Sequence, residues 1–375
     1  MSRYRTLDLT LVAALVLAGA HAPARAAAET GPNRPAFDRQ PSGQARRPPP
    51  GHGVIDQLKH ITLIGSTVDP LNGDVNPYGL AIAPASSGSI QAGDLIVCNF
   101  NDNFNIQGLG TTIEVLAPTP GSTPTRLIQD GRITGCSALA VDAGDAPWIA
   151  AFTANLNPIV SSSGTLFTTL SNFPWTQPWG QTYSPTTSPY GNGAFYESNA
   201  DDGSIVRIDL ASKGFTYETI VTGFSVNHGV PGTVLAPAGL TYDAVHDVLY
   251  VVDSNTNRLV AFSKPGTIPQ GGITVNGSGF SGSNAAQAKV VYAGAPLAAP
   301  ISAALLFNGD VVVGNTANNR LIEISPATGA VDGQKLLDPH APGALFGIAA
   351  SGTSLDSTLI YFNDDNANAV EVLSL

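Results

Sequence analysis

Charge is scarce in this chain: Asp, Glu, Lys and Arg make up 12% of its 375 residues. A charge-rich disordered chain is thereby excluded. Basic residues are the scarcer sign, 17 against 28 acidic, and the net charge is −11. There is no cationic footprint for a nucleic acid, so none is expected as a partner. Long apolar runs are absent as well. The longest uncharged apolar run, Leu9 to Ala20, falls short of the roughly 20 residues that cross a bilayer as a helix, and no transmembrane span is expected. Two cysteines are too few for a disulfide-built scaffold. What the chain has instead is 40 glycines and 28 prolines, which punctuate it too often for a helical bundle.

The N-terminus has the character of an address. Arg3 and Arg5 precede the apolar run, and small residues follow it up to Ala26-Ala27-Ala28, so residues 1–28 are expected to be a secretory signal. Residues 29–55 are rich in Pro, Gly and Arg and are expected to form a disordered linker. The protein is therefore expected to be secreted or periplasmic, and monomeric. Residues 54–375 hold 10 of the 17 basic and 25 of the 28 acidic side chains, a net of −15.

The remaining stretch, 56–375, repeats. Pro77-Tyr78-Gly79-Leu80, Pro237-Ala238-Gly239-Leu240, Pro300-Ile301-Ser302-Ala303 and Leu345-Phe346-Gly347-Ile348 open four units, with weaker copies at Cys136-Ser137-Ala138-Leu139 and Pro178-Trp179-Gly180-Gln181. Each copy continues with a β-rich run that ends in most copies on Asn or an acid, then an Asx-rich turn, then further short alternating runs. Four short strands in about 50 residues is a propeller blade. Six copies predict an all-β, six-bladed propeller. The sixth copy ends with three strands, so Lys59–Gly65 is expected to supply the fourth by pairing with residues 367–374 and so remove an open sheet edge.

The P-x-G-L opening, the Tyr250-Val251-Val252-Asp253 second strand and the Asn257-Arg258 third-strand start resemble the repeat of NHL-type β-propellers, secreted bacterial members included. The likeness spans residues 56–375 and names no activity.

The turns after the second strands and before the first ones share one face of a propeller, around the channel mouth. That face collects Asn99, Asn101, Glu197, Asn199, Asp253, Asn255, Asn315 and Asn363 as ligand-binding candidates. Such oxygens suit a hard cation, so Ca²⁺ or another divalent metal is the one cofactor to consider, with His228, His340, Asp253 and Asp364 as its candidate ligands. The same residue types cap their own turns through side-chain to backbone hydrogen bonds, and both readings stand at this point. The aromatics Phe173, Trp175, Trp179, Tyr183 and Tyr190 form either a stacking surface or core. No G-x-S-x-G, P-loop or H-E-x-x-H is present. The expected function is a binding or scaffold module for an extracellular glycan, peptide or protein. The alternative is a metal-assisted hydrolase or lyase, lactonase-like or amidating-lyase-like, at the channel mouth.

Cys98 ends the second strand of blade one, and Cys136 directly precedes the first strand of blade two. The repeat frame puts both at one face on neighbouring blades, in an oxidising compartment, so they are expected to pair.

Overall fold

A computed structural model describes residues 53–171, 174–186, 189, 192–211 and 214–375. The expected signal and nearly all of the expected linker, with Phe173 and Tyr190, lie outside them. The described chain is almost entirely strand, arranged as six sheets in a ring. Blade one is Val75–Ile82, Leu95–Asn101, Thr112–Leu116 and Thr125–Gln129, paired in that order from the axis outward. Blades two to five repeat this plan from inner strands Cys136–Val141, Pro178–Ser184, Pro237–Asp243 and Pro300–Leu305. Blade six is Leu345–Ser351, Leu359–Asp364 and Ala369–Ser374, completed by His60–Ser66. The closing pair is antiparallel, His60 opposite Ser374 and Ser66 opposite Ala369.

Glycine recurs at the start of the inner strands because those strands crowd one another there. A Cβ on Gly180 would lie 2.0 Å from the Ala238 carbonyl oxygen of the next blade, and one on Gly347 would lie 2.4 Å from that of Tyr78. At the same level every inner strand shifts register against its partner, between Pro77 and Gly79 in blade one and between Leu345 and Ile348 in blade six. Four of the remaining shifts fall at Cys136/Ala138, Pro178/Gln181, Pro237/Leu240 and Pro300/Ser302. A bulge bends a strand and increases its twist, which here steers each chain toward the axis.

In three blades the residue of the second strand that sits just beside this bulge ties the blade to the next, each time with different chemistry. In blade one it is Cys98, bonded to Cys136 of blade two with Cα atoms 6.0 Å apart, as expected. In blade three it is Ser198, whose hydroxyl donates to Ala238 O of blade four at 2.7 Å. In blade six it is Asn363, which donates to Tyr78 O (3.1 Å) and Gly79 O (3.3 Å) across the ring closure. The register also places Asp364, not Asn363, opposite the first residue of its inner strand, so the sixth copy is aligned one residue later than its sequence suggests.

Two features are not apparent in the repeat. Blade four carries an insertion whose strand Ile273–Asn276 runs parallel to Gly214–Thr222 and extends blade three to six strands with Gly279–Ser281. Buried Arg207 fixes it, donating to Ile268 O at 2.7 Å and to Glu218 Oε2 at 2.6 Å. At the N-terminal side, Val54–Gln57 forms one helical turn. Val54, Ile55 and Leu58 are fully buried with the core of blades five and six, and the Glu323 carboxylate accepts from Val54 N and Ile55 N at 2.9 Å each. Residues 54 and 55, expected to end the linker, are thus part of the body, because their apolar side chains have a core to enter. No helix among the described residues is long and apolar enough to cross a membrane.

Deleting residues 1–66 removes this brace and the closing strand, and leaves Ala369–Ser374 as a bare edge. The expected outcome is collapse of soluble yield; an unchanged thermal midpoint for the truncated protein would contradict it.

Candidate functional site

The channel mouth on the Asx-rich face is sealed. Two sets of residues meet there: those just before the crowded anchors, and those just after the second-strand residue that faces the start of the inner strand. Tyr78, Trp179, Ile301 and Phe346 come from the first set, Phe100 and Phe152 from the second. Tyr78 is sandwiched, its ring 3.7 Å from Phe346 and 4.1 Å from Phe100, centroid to centroid. Trp179 packs edge-on against Phe152 at 5.1 Å. Below this seal the inner strands enclose a channel of about 340 Å³. Its lining is mostly small and apolar inner-strand residues, with Ser137, Gln181, Thr182, Thr241 and Ser302 as polar members and no charged side chain.

The predicted oxygen ligands therefore do not ring an open mouth. Asn99, Asn101, Glu197, Asn199, Asp253, Asn315 and Asn363 are all fully buried. Asn99 Nδ2 donates to Thr67 O at 2.9 Å, Asn199 Nδ2 to Pro174 O at 2.8 Å and Asn315 Nδ2 to Pro296 O at 2.9 Å. In each of these the amide holds the loop that leads into its own blade. A second set of turn asparagines reaches forward. Asn257 Oδ1 accepts from Ala299 N at 2.8 Å, Asn319 Oδ1 from Ala344 N at 3.1 Å, and Asn368 Oδ1 from Asn76 N at 2.7 Å. All three asparagines sit at positive φ, near 50°, which Asn tolerates better than most residues. Asn255, half-buried, donates to Ser225 Oγ at 2.8 Å. The turn-building reading accounts for the recurrence of these residues: an unpaired backbone group in a crowded ring costs more than the side chain that satisfies it.

The four candidate metal ligands have other partners. Asp253 pairs with Arg258 at 2.6 Å, and Asp364 accepts from Ala367 N at 3.1 Å within its own turn. Exposed His340 is paired with Asp338, and exposed His228 lies 3.3 Å from Asp201 through Nδ1. Among the described residues no three His, Cys, Asp or Glu side chains gather as a metal-holding group. The three described aromatics of the possible stacking surface belong to the core: Trp175 and Trp179 are buried, and Tyr183 is half-buried beside Phe195.

The shifted carboxyls and two exposed loops were not apparent in the sequence. Asp365 occupies the axial position that Phe100 and Phe152 fill in blades one and two. Asn76 turns its amide nitrogen to Asp365 Oδ2 at 2.8 Å and accepts from Asn101 Nδ2 at 2.6 Å and Gln107 Nε2 at 3.3 Å. Burial, with the charge of Asp364, pushes the Asp365 carboxyl up to about 7. Buried Glu114, beside the Asp69–Arg126 ion pair, is pushed up to about 9 by burial and then by Asp69. Glu197, with Asn157 and Gln181 as neighbours, is also raised by burial, and Glu323 is raised to about 7 for the same reason.

The exposed loops are 102–110 and 225–236. Phe104 is 78% exposed, Ile106 50%, Leu109 41% and Val230 69%. The loops touch, since a Cβ on Gly108 would meet Pro231 at 3.3 Å and one on Gly232 would meet Gln107 at 3.2 Å. Leu71, 74% exposed, borders them through the contact of Gly73 with Asn103. The exposed apolar side chains thus stand on adjoining loops instead of being scattered singly.

No family model and no curated protein matches the chain. Solved structures do. A chain of the nidogen/laminin complex is 14% identical with a TM-score of 0.54, over 79% of this chain and 99% of that one. A gluconolactonase of Xanthomonas campestris is 11% identical with a TM-score of 0.56, over 90% and 99%. A catalytically inactive virginiamycin B lyase of Staphylococcus aureus, crystallised with quinupristin, is 15% identical with a TM-score of 0.51, over 84% and 100%. At these identities the likeness is one of fold.

The raised carboxyls fix a direction for stability against pH. Each has a folded pKa above its unfolded one, so its contribution is fully present below the ordinary carboxylate range and is lost as pH rises through about 7 for Asp365 and Glu323 and about 9 for Glu114. Asp69 is opposite: burial opposes its ionisation, but Arg126 outweighs burial and holds it well below the usual range, so its contribution is lost only in acid. The thermal midpoint by calorimetry is expected to be highest near about pH 5 and to fall toward about pH 9.5. Glu114→Gln should flatten the upper part of that fall; a midpoint that rises over this range would contradict the assignment.

Proposed function

We propose that the chain is a secreted, NHL-type six-bladed propeller that acts as a binding module for a protein or peptide partner of positive charge. The exposed apolar patch of Phe104, Ile106, Leu109, Val230 and Leu71 carries this reading. It lies on loops carried by a strand scaffold, the usual place for recognition. The acidic body, −15 over residues 54–375, favours approach of a basic partner. The central mouth of the same face is filled by stacked rings, which directs contact to the surrounding loops. The alternative, a metal-assisted hydrolase or lyase, draws on the fold likeness to a lactonase and a lyase, but its four candidate ligands are dispersed over separate turns.

The test is selection of a displayed random peptide library on the intact protein. Enriched peptides should pair apolar anchors with Lys or Arg. Their affinity should fall at least about tenfold in Phe104→Asp, as the loss of an aromatic anchor does. Enriched peptides that bind Phe104→Asp and Val230→Asp as well as the native protein would contradict it.

A further inference from the structure

Beside the apolar patch lies a groove of different chemistry. It is a cavity of about 380 Å³ between blades two and three, lined by Phe152, Thr153, Asn155, Thr176, Gln177, Asp201 and Pro231. That volume lies within the small-molecule range. Its walls are held in place by backbone groups and by the Asn155 side chain. Gln177 N donates to Asn155 Oδ1 at 2.6 Å, Asn155 Nδ2 to Trp175 O at 3.0 Å, and Asp201 N to Thr176 O at 3.1 Å. The Asn155 side chain is thereby engaged at both ends.

The remaining polar groups are free to bond something else. Among the described residues, the Gln177 side-chain amide and the Thr153 hydroxyl have no hydrogen-bond partner, and Thr176 Oγ1 is buried without one. A buried hydroxyl left unpaired is costly unless water or a ligand meets it. Asp201 contributes a carboxylate at the rim, and exposed His228 lies 3.3 Å from it through Nδ1. Phe152 and Pro231 supply the apolar part of the lining.

We infer that this groove binds a neutral, polyhydroxylated ring: one sugar unit of an oligosaccharide. A phosphate or carboxylate ligand would face a carboxylate with a single imidazole to offset it. A metal ion would find one acid. A ring of hydroxyls, each both donor and acceptor, matches two hydroxyls, an amide, a carboxylate and an imidazole, and its C–H face matches Phe152 and Pro231. The cavity is walled by the blade-two turn, the blade-three lead-in and the Asp201 turn under Pro231, which suits a compact ring better than an extended peptide. This site is independent of the apolar patch, and either can fail without the other.

The experiment is saturation-transfer NMR and calorimetry on the full-length protein with cello-, chito-, malto- and xylohexaose up to about 10 mM, the weak end of measurable affinity. At least one is expected to bind. Its affinity should fall about tenfold or more in Asp201→Asn and in Gln177→Asn, each of which removes or withdraws one hydrogen-bonding group and keeps the turn. Phe104→Asp, outside the groove, should leave it unchanged. Asp201 is exposed, so its variant reports even if Gln177→Asn folds poorly. Binding of none of the four, binding undiminished in Asp201→Asn, or displacement of the sugar signal by a random pentapeptide mixture at equal concentration would each overturn the assignment.

Discussion

Six strands have to approach one axis more closely than side chains permit. That crowding is the constraint from which the rest of the molecule follows. Where the inner strands meet, Gly79, Gly180, Gly239 and Gly347 stand because a Cβ would run into the neighbouring blade or, at Gly79, first into Cys98 Sγ, at 2.0 to 2.7 Å. Ala138 and Ser302 fill the two remaining places with the smallest side chains available. The bulge at each of these levels lets the strand bend inward, and the residues on either side of it are then committed by geometry. One points to the axis and joins the seal. The other faces the next blade and, in blades one, three and six, fastens to it.

The fastening is solved three ways at equivalent positions: a disulfide at Cys98, a hydroxyl at Ser198 and an amide at Asn363. The joint between blades one and two is covalent. The joint that closes the ring, between blades six and one, rests on Asn363, on the Asn368 to Asn76 contact and on the strand His60–Ser66. The helical turn at Val54–Gln57 adds to this closure by burying Val54, Ile55 and Leu58 under Glu323. An N-terminal segment that both braces blade five and completes blade six makes the ring's last joint depend on both ends of the propeller.

Much of this was legible in the sequence, and for a physical reason. Small anchors and Asx turns recur because the backbone requires them in every blade, so they repeat even as the side chains around them drift. The repeat frame in turn placed Cys98 beside Cys136 and His60–Ser66 beside the last strand. The seal was hidden because its members share a position and not a type: Tyr78, Trp179, Ile301 and Phe346 align with Ser137 and Ala238. The same drift puts Asp365, an acid, at a place where blades one and two have phenylalanine. The Asx-rich face looked like an open mouth because oxygens on turns that bind and oxygens on turns that staple have the same spelling. Burial separates them, and burial is a property of the packed ring. The groove between blades two and three is assembled from four separate loops, so no local pattern announces it.

The claim that close approach of the inner strands governs the fold is tested most directly by adding one methyl group at the axis. Gly180→Ala places a Cβ 2.0 Å from Ala238 O, whereas Gly131→Ala meets nothing within 4 Å. Denaturant unfolding of the two variants should show a loss of about 3 kcal/mol or more for Gly180→Ala, or no folded protein, and a change within about 0.5 kcal/mol for Gly131→Ala. Equal stabilities for the two would contradict it.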